Sequence, residues 1–177
     1  MTGTLLDPTL LVNEPARWLS VIENTLKIVP RCQLGVDEPP SSHGIYFLYM
    51  RGRMIYLGKS SGGSVSKTNS IVSRLGTHWD KVQNRVGLFP ELMTYQAVPL
   101  DSVYSGLILM LEQFAIEKYR PYLNGTGFGS LPPGHGRRFQ GASKFEKMHP
   151  PITRSEVWKP TTPVVVRRTP VLSSCYA

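Results

Sequence analysis

Apolar residues along the chain follow two rhythms, and the points where one gives way to the other mark its elements. In PTLLVNEPARWLSVIENTLKIV, residues 8 to 29, Trp18, Leu19, Ile22, Leu26 and Val29 recur at helical spacing after a turn marked by Asn13 and Pro15, predicting an amphipathic lead-in helix. DEPPSSHG, residues 37 to 44, is rich in Pro and Ser and reads as a linker or loop. GIYFLYM and MIYLG are rich in β-branched and aromatic residues and predict two strands joined as a hairpin across Arg51, Gly52 and Arg53. KSSGGSVSKTNS, residues 59 to 70, has a loop's composition, and IVSRLGTHWDKV returns to helical steps with Ile71, Leu75 and Val82. MTYQAVPL, residues 93 to 100, predicts a third strand. DSVYSGLILMLEQFAIEKYRPYLN predicts the best helix, with Asp101 and Ser102 as N-caps, Leu107, Leu111, Phe114 and Ile116 near one apolar side, and an end before Pro121. Beyond Asn124 the chain turns Gly-rich, Pro-rich and basic, with TTPVVVRRTPVL near its end as an edge strand.

Composition narrows the classes. At 177 residues and 19.8 kDa the chain is most simply one domain, large enough to bury a full core without staples. Cys32 and Cys175 stand alone near opposite ends, which suggests neither a disulfide framework nor a zinc site, and the expected location is cytoplasmic. No apolar run approaches the roughly 20 residues that span a bilayer, so no membrane partner is expected. The net charge of +8 and a pI near 9.7 favour polyanions, nucleic acid foremost.

Several polar residues stand where chemistry is conceivable. Tyr46 and Tyr56 each close an apolar run of the hairpin, and taken singly such tyrosines more often pack than react. Arg74 and His78, at i and i+4, face the same way on one helix; an Arg fork suits a phosphate and a His can take or relay a proton. The common alternative for such a pair is a solvated helix face. Glu112 has apolar neighbours on both sides in ILMLEQFAIEKY, and a carboxylate on or near a buried face needs a partner or a cation. Two competing motifs fall away. GKS at 58 to 60 lacks the earlier Gly of a phosphate-binding loop, since Arg53 holds that position, and GTGFGS lacks the strand and helix of a dinucleotide site and reads as a flexible loop near DNA.

In order, GIY at 44 to 46, YLG at 56 to 58, Lys59, Arg74, Glu112 and Asn124 resemble the GIY-YIG nuclease superfamily over residues 43 to 124, with Leu57 in place of the usual Ile. With His78 and the tail GFGSLPPGHGRR…FEKMHP, the chain is most similar to the small type II restriction endonucleases that cut GC-rich palindromes. The resemblance implies an α+β fold, a small β-sheet flanked by helices. It divides one nuclease domain into an N-terminal helical arm and linker at 1–42, a catalytic core at 43–124 and a basic Gly/Pro-rich extension at 125–177. It implies hydrolysis of double-stranded DNA by a tyrosine-activated water, with Mg²⁺ or Mn²⁺ held by Glu112. Arg74 would stabilise charge on phosphorus, and Lys59 would lower a tyrosine pKa or contact phosphate. His78 would accept a proton from Tyr46, and Asn124 would fix the end of the Glu112 helix or bond near the metal. A homodimer and a cognate DNA methyltransferase are the implied partners. Arg137, Arg138, Lys144, Lys67 and Arg154 are the candidate DNA contacts. The alternatives are a structure-selective repair or recombination nuclease and a noncatalytic DNA-binding module on the same scaffold.

Overall fold

The computed structural model describes residues 15–61, 70–101, 105–129 and 141–152. Helix α1 spans Pro15–Ile28, with Pro at its first position where the missing N–H costs nothing. Strands follow at Cys32–Gln33 (β1), His43–Met50 (β2) and Arg53–Ser60 (β3), then α2 at Ile71–Val82, β4 at Met93–Leu100, α3 at Ser105–Tyr119 and a short α4 at Lys144–Met148. The strands form one antiparallel sheet in the order β1-β4-β2-β3. This is the α+β arrangement expected, with the hairpin, the third strand and all three expected helices in place. Strand β1 and helix α4 are each too short to carry a period in the sequence. The edge strand expected in TTPVVVRRTPVL lies outside the described residues.

Both faces of the sheet are covered. Ile45, Phe47 and Tyr49 of β2 pack with Ile22 of α1 and with Ile108, Leu111 and Ala115 of α3. Leu107, Leu111 and Ile116 of the expected α3 stripe pack here, while Phe114 is only half-buried and Ile108 and Ala115 complete the stripe. Gln96 of β4 donates to the carbonyls of Leu26 and Val29 at 2.9 and 2.6 Å, satisfying acceptors that the end of α1 leaves open. On the other face, Tyr46 and Leu48 pack with Ile71 and Leu75 of α2, with Leu123 and Phe128 of the turn after α3, and with Phe145 of α4.

The β2–β3 turn is two residues long, with Arg51 and Gly52 both at positive φ, 51° and 77°, as a twist-matched hairpin requires. Its register then slips. Tyr49 pairs with Met54 but Leu48 pairs with Tyr56, leaving Ile55 as a bulge. An uninterrupted ladder would have placed Tyr56 across from Phe47, on the opposite face from Tyr46. The bulge brings both phenols to one face.

Among the described residues no helix is long and apolar enough to cross a membrane. Among them too, no cysteine is free: Cys32 is disulfide-bonded, where its isolation in the sequence suggested no pairing.

Candidate active site

The two glycines of the hairpin motifs have separate physical reasons. Gly44 sits at φ 149°, and a Cβ there would strike the Val98 carbonyl of the neighbouring strand. Gly58 lies opposite Tyr46 in the ladder, and a Cβ there would come within 2.5 Å of the Tyr46 hydroxyl and 2.8 Å of the Tyr56 ring. The absence of that side chain makes the space in which the phenols meet, with ring centroids 6.3 Å apart.

Helix α2 supplies the next residues. Ser70 caps it, accepting from the Ser73 amide, and Ile71, Leu75, His78 and Val82 form its buried stripe. His78 is therefore turned inward with the apolar residues, and its Nε2 lies 2.8 Å from the Tyr46 hydroxyl. Burial, with the charges of Lys81 and Arg74 adding to it, pushes the His78 pKa down to about 3, so the ring is neutral at physiological pH. Nδ1 is buried with no hydrogen-bond partner, and so is Nε of Arg74.

Burial also dominates the phenols. It pushes Tyr56 up to about 12, with Glu112 adding to the rise and the Tyr46 hydrogen bond and Arg74 opposing it. Tyr46 is raised well above its ordinary value by burial and by Tyr56, against the pull of Arg74. The cations near the site therefore do not leave either tyrosine ionised in the protein alone. The charge of Lys59 opposes the burial that raises the Glu112 pKa, as does that of Arg74. Its ammonium donates to the Ser61 hydroxyl at 3.1 Å.

Glu112 is half-buried on α3, the helix packed across β2 and β3. Among the described residues no group of three His, Cys, Asp or Glu side chains could hold a metal. A cation at Glu112 would take one protein carboxylate and complete its shell with water and phosphate oxygens, a donor set that suits Mg²⁺ or Mn²⁺.

Asn124 lies just beyond α3, with both ends of its amide on the main chain of β3. Leu57 N–H donates to Oδ1 at 3.0 Å and Nδ2 donates to the Leu57 carbonyl at 2.7 Å. Together with the Leu123 amide on the Ile55 carbonyl at 3.0 Å, it closes the open edge of β3 between Tyr56 and Gly58. Its amide positions the tyrosine strand. Of the candidate DNA contacts, Lys144 is exposed at the start of α4, while Lys67, Arg137, Arg138 and Arg154 lie outside the described residues.

One residue of the site was missed in the sequence. Phe128, fully buried, stacks on His78 with centroids 4.6 Å apart and planes at 15°, and meets Tyr56 edge-on at 4.9 Å. GTGFG is not a flexible loop here: Thr126 and Phe128 are buried, and Thr126 bonds back to the Leu123 carbonyl at 2.6 Å. An aromatic residue isolated among glycines was the available signal.

The family model described as the Eco29kI GIY-YIG domain matches residues 52–165, well over half of the chain. The chain belongs to the Eco29kI GIY-YIG family. It is thus a GIY-YIG nuclease of a restriction endonuclease family, a DNA endonuclease. The match includes Tyr56, Lys59, Arg74, His78, Glu112 and Asn124 and starts in the hairpin turn, so the place of Tyr46 rests on strand pairing and on its bond to His78. No curated protein matches the chain.

Proposed function

We propose that this Eco29kI-family protein is a type II restriction endonuclease that cuts double-stranded DNA at a GC-rich palindrome. In this reading it acts as a homodimer, with Mg²⁺ or Mn²⁺, alongside a cognate methyltransferase in the cytoplasm. The observation that carries the catalytic part is the Tyr46–His78 hydrogen bond inside a buried site. A phenol with its pKa near 12 is ionised in only about one molecule in 10⁵ at pH 7, so no useful phenolate stands ready. A neutral imidazole in contact with the Tyr46 hydroxyl is placed to accept its proton, and the negative charge of a bound phosphate, opposing that of Lys81 and Arg74, would raise its low basicity.

In the mechanism that follows, the Tyr46 proton moves to Nε2 of His78 as Tyr46 takes a proton from the attacking water. The water oxygen bonds to phosphorus and the P–O3′ bond breaks, leaving a 5′-phosphate and a 3′ oxyanion that takes a proton from solvent to become the 3′-hydroxyl. Arg74, with a buried Nε unpaired in the protein alone, binds the phosphate whose charge rises in the transition state. Tyr56 lines the phosphate beside Tyr46, and Lys59 moderates the charge of Glu112. A divalent cation on Glu112 would neutralise the leaving oxygen and the non-bridging oxygens. Residues 43–124 carry this frame, preceded by the helical arm. The extension from 125, with Arg137, Arg138, Lys144 and Arg154, and the loop holding Lys67 make the DNA contacts.

Double-strand cleavage needs two cuts on antiparallel strands, and a two-fold dimer on a palindrome places one site at each. The test is digestion of a sequenced supercoiled plasmid with Mg²⁺ or with chelator, followed by mapping of the ends. Symmetric ends at one recurring palindrome support the reading. Cuts at branches or flaps favour the structure-selective alternative, and binding without cleavage favours the noncatalytic one.

A further inference from the structure

A histidine that handles a proton through one ring nitrogen is ordinarily held in orientation by a hydrogen bond at the other. His78 lacks that second bond. Nε2 meets Tyr46, while Nδ1 is buried and unpartnered, so a single contact would leave the ring free to rotate away from Tyr46. What constrains it is the flat face of Phe128, stacked at 4.6 Å and nearly parallel. The same phenyl ring meets Tyr56 edge-on, and the backbone of Gly129 comes so close to the Tyr56 hydroxyl that a Cβ would collide with it.

Phe128 is in turn fixed from two sides. Lys81, one turn beyond His78 on α2, donates from Nζ to the Phe128 carbonyl at 2.7 Å. Phe145 of α4 packs behind the ring at 5.0 Å, its amide bonded to the Thr126 carbonyl at 2.8 Å, and a full capping box holds the start of α4. This path from α4 to the imidazole uses no residue of the GIY or YLG motifs.

We infer that Phe128, anchored by Lys81, is a positioning residue that holds the His78 ring against the Tyr46 hydroxyl by stacking. The first turn of the C-terminal extension thereby completes the active site. The activity arm of the test rests on the nuclease reading above; the spectroscopic arm does not.

The test compares the full-length protein with Phe128→Leu, which keeps apolar bulk and loses the flat face, and with Ile22→Val, a core change on the opposite face of the sheet. Single-turnover plasmid cleavage and gel-shift affinity are measured beside ¹⁵N spectra of the histidine rings, with His78 assigned by His78→Gln. Phe128→Leu should cut about 10- to 100-fold more slowly with affinity unchanged, a loss of orientation and not of binding. Its His78 signals should move toward averaged tautomers, while Ile22→Val leaves both readouts as in the wild type. Lys81→Met should lose part of the rate and Lys81→Arg, which keeps a donor, should restore it; this pair tests the clamp even if Phe128→Leu does not fold. A Phe128→Leu rate equal to that of Ile22→Val, or unchanged His78 ring signals, overturns the inference. A wild-type protein that cuts no DNA overturns the nuclease reading instead and leaves the ring spectra to decide the clamp.

Discussion

Replacing Gly58 with Ala tests whether the phenols meet because a side chain is missing between them. A Cβ at residue 58 would lie 2.5 Å from the Tyr46 hydroxyl oxygen, 2.6 Å from the adjoining ring carbon and 2.8 Å from the Tyr56 ring. Comfortable contact begins near 3.5 Å, so the Tyr46 ring must retreat by about 1 Å. Tyr46 is buried and bonded to His78, so that movement strains packing on α2 as well. Overpacking of this kind costs about 1–3 kcal/mol, which for a domain of this size lowers Tm by roughly 3–10 °C. A displacement of about 1 Å at a reacting group also costs about 10²-fold in rate. The control is Gly76→Ala in α2, where a Cβ would meet nothing within 4 Å. It should gain about 0.8–1 kcal/mol of helix propensity and leave cleavage unchanged. Thermal unfolding and plasmid nicking on both variants give the comparison. A Gly58→Ala protein with wild-type Tm and wild-type rate would refute the reasoning, because the phenols would then not be packed against residue 58.

Asn124→Ala removes both amide contacts to Leu57 and should cost about 1–3 kcal/mol in urea unfolding, while Asn124→Asp, which loses the donor, should not rescue it; a neutral Asn124→Ala would remove the positioning role. The neutral burial of His78 carries its own pH dependence. With a folded pKa near 3 against 6.5 when unfolded, the unfolded chain takes up the proton first, so stability falls as pH drops from about 6.5 toward 3, by about 2 kcal/mol at pH 5. Urea titrations at pH 7.5 and 5 should show that loss in the wild type and a smaller one in His78→Gln. Glu112→Gln should abolish nicking and keep gel-shift affinity, since the carboxylate serves a cation and not DNA binding. Tyr46→Phe should lose at least as much activity as Tyr56→Phe, because only Tyr46 is bonded to the imidazole; a fully active Tyr46→Phe would remove it as the base.

Chain-local properties were readable in advance. The helical stripe through Ile71, Leu75 and Val82, the turn residues at 51 and 52, and the β-branched and aromatic runs marked α2, the hairpin and β4, because each depends on neighbours a few residues away. The residue types of the candidate site were legible too, through their order along the chain. Tertiary structure alone decided which face each reached. Tyr46 and Tyr56 share a face only because Ile55 bulges out of the ladder, and a period-two pattern cannot report a one-residue slip in pairing. It also turned the phenol pKa values upward and made His78 a neutral partner of Tyr46, since burial is a property of the assembled core and not of sequence spacing. Asn124 on β3 and Phe128 on His78 belong to the same class. Each joins elements tens of residues apart, and contacts over that distance are set by packing.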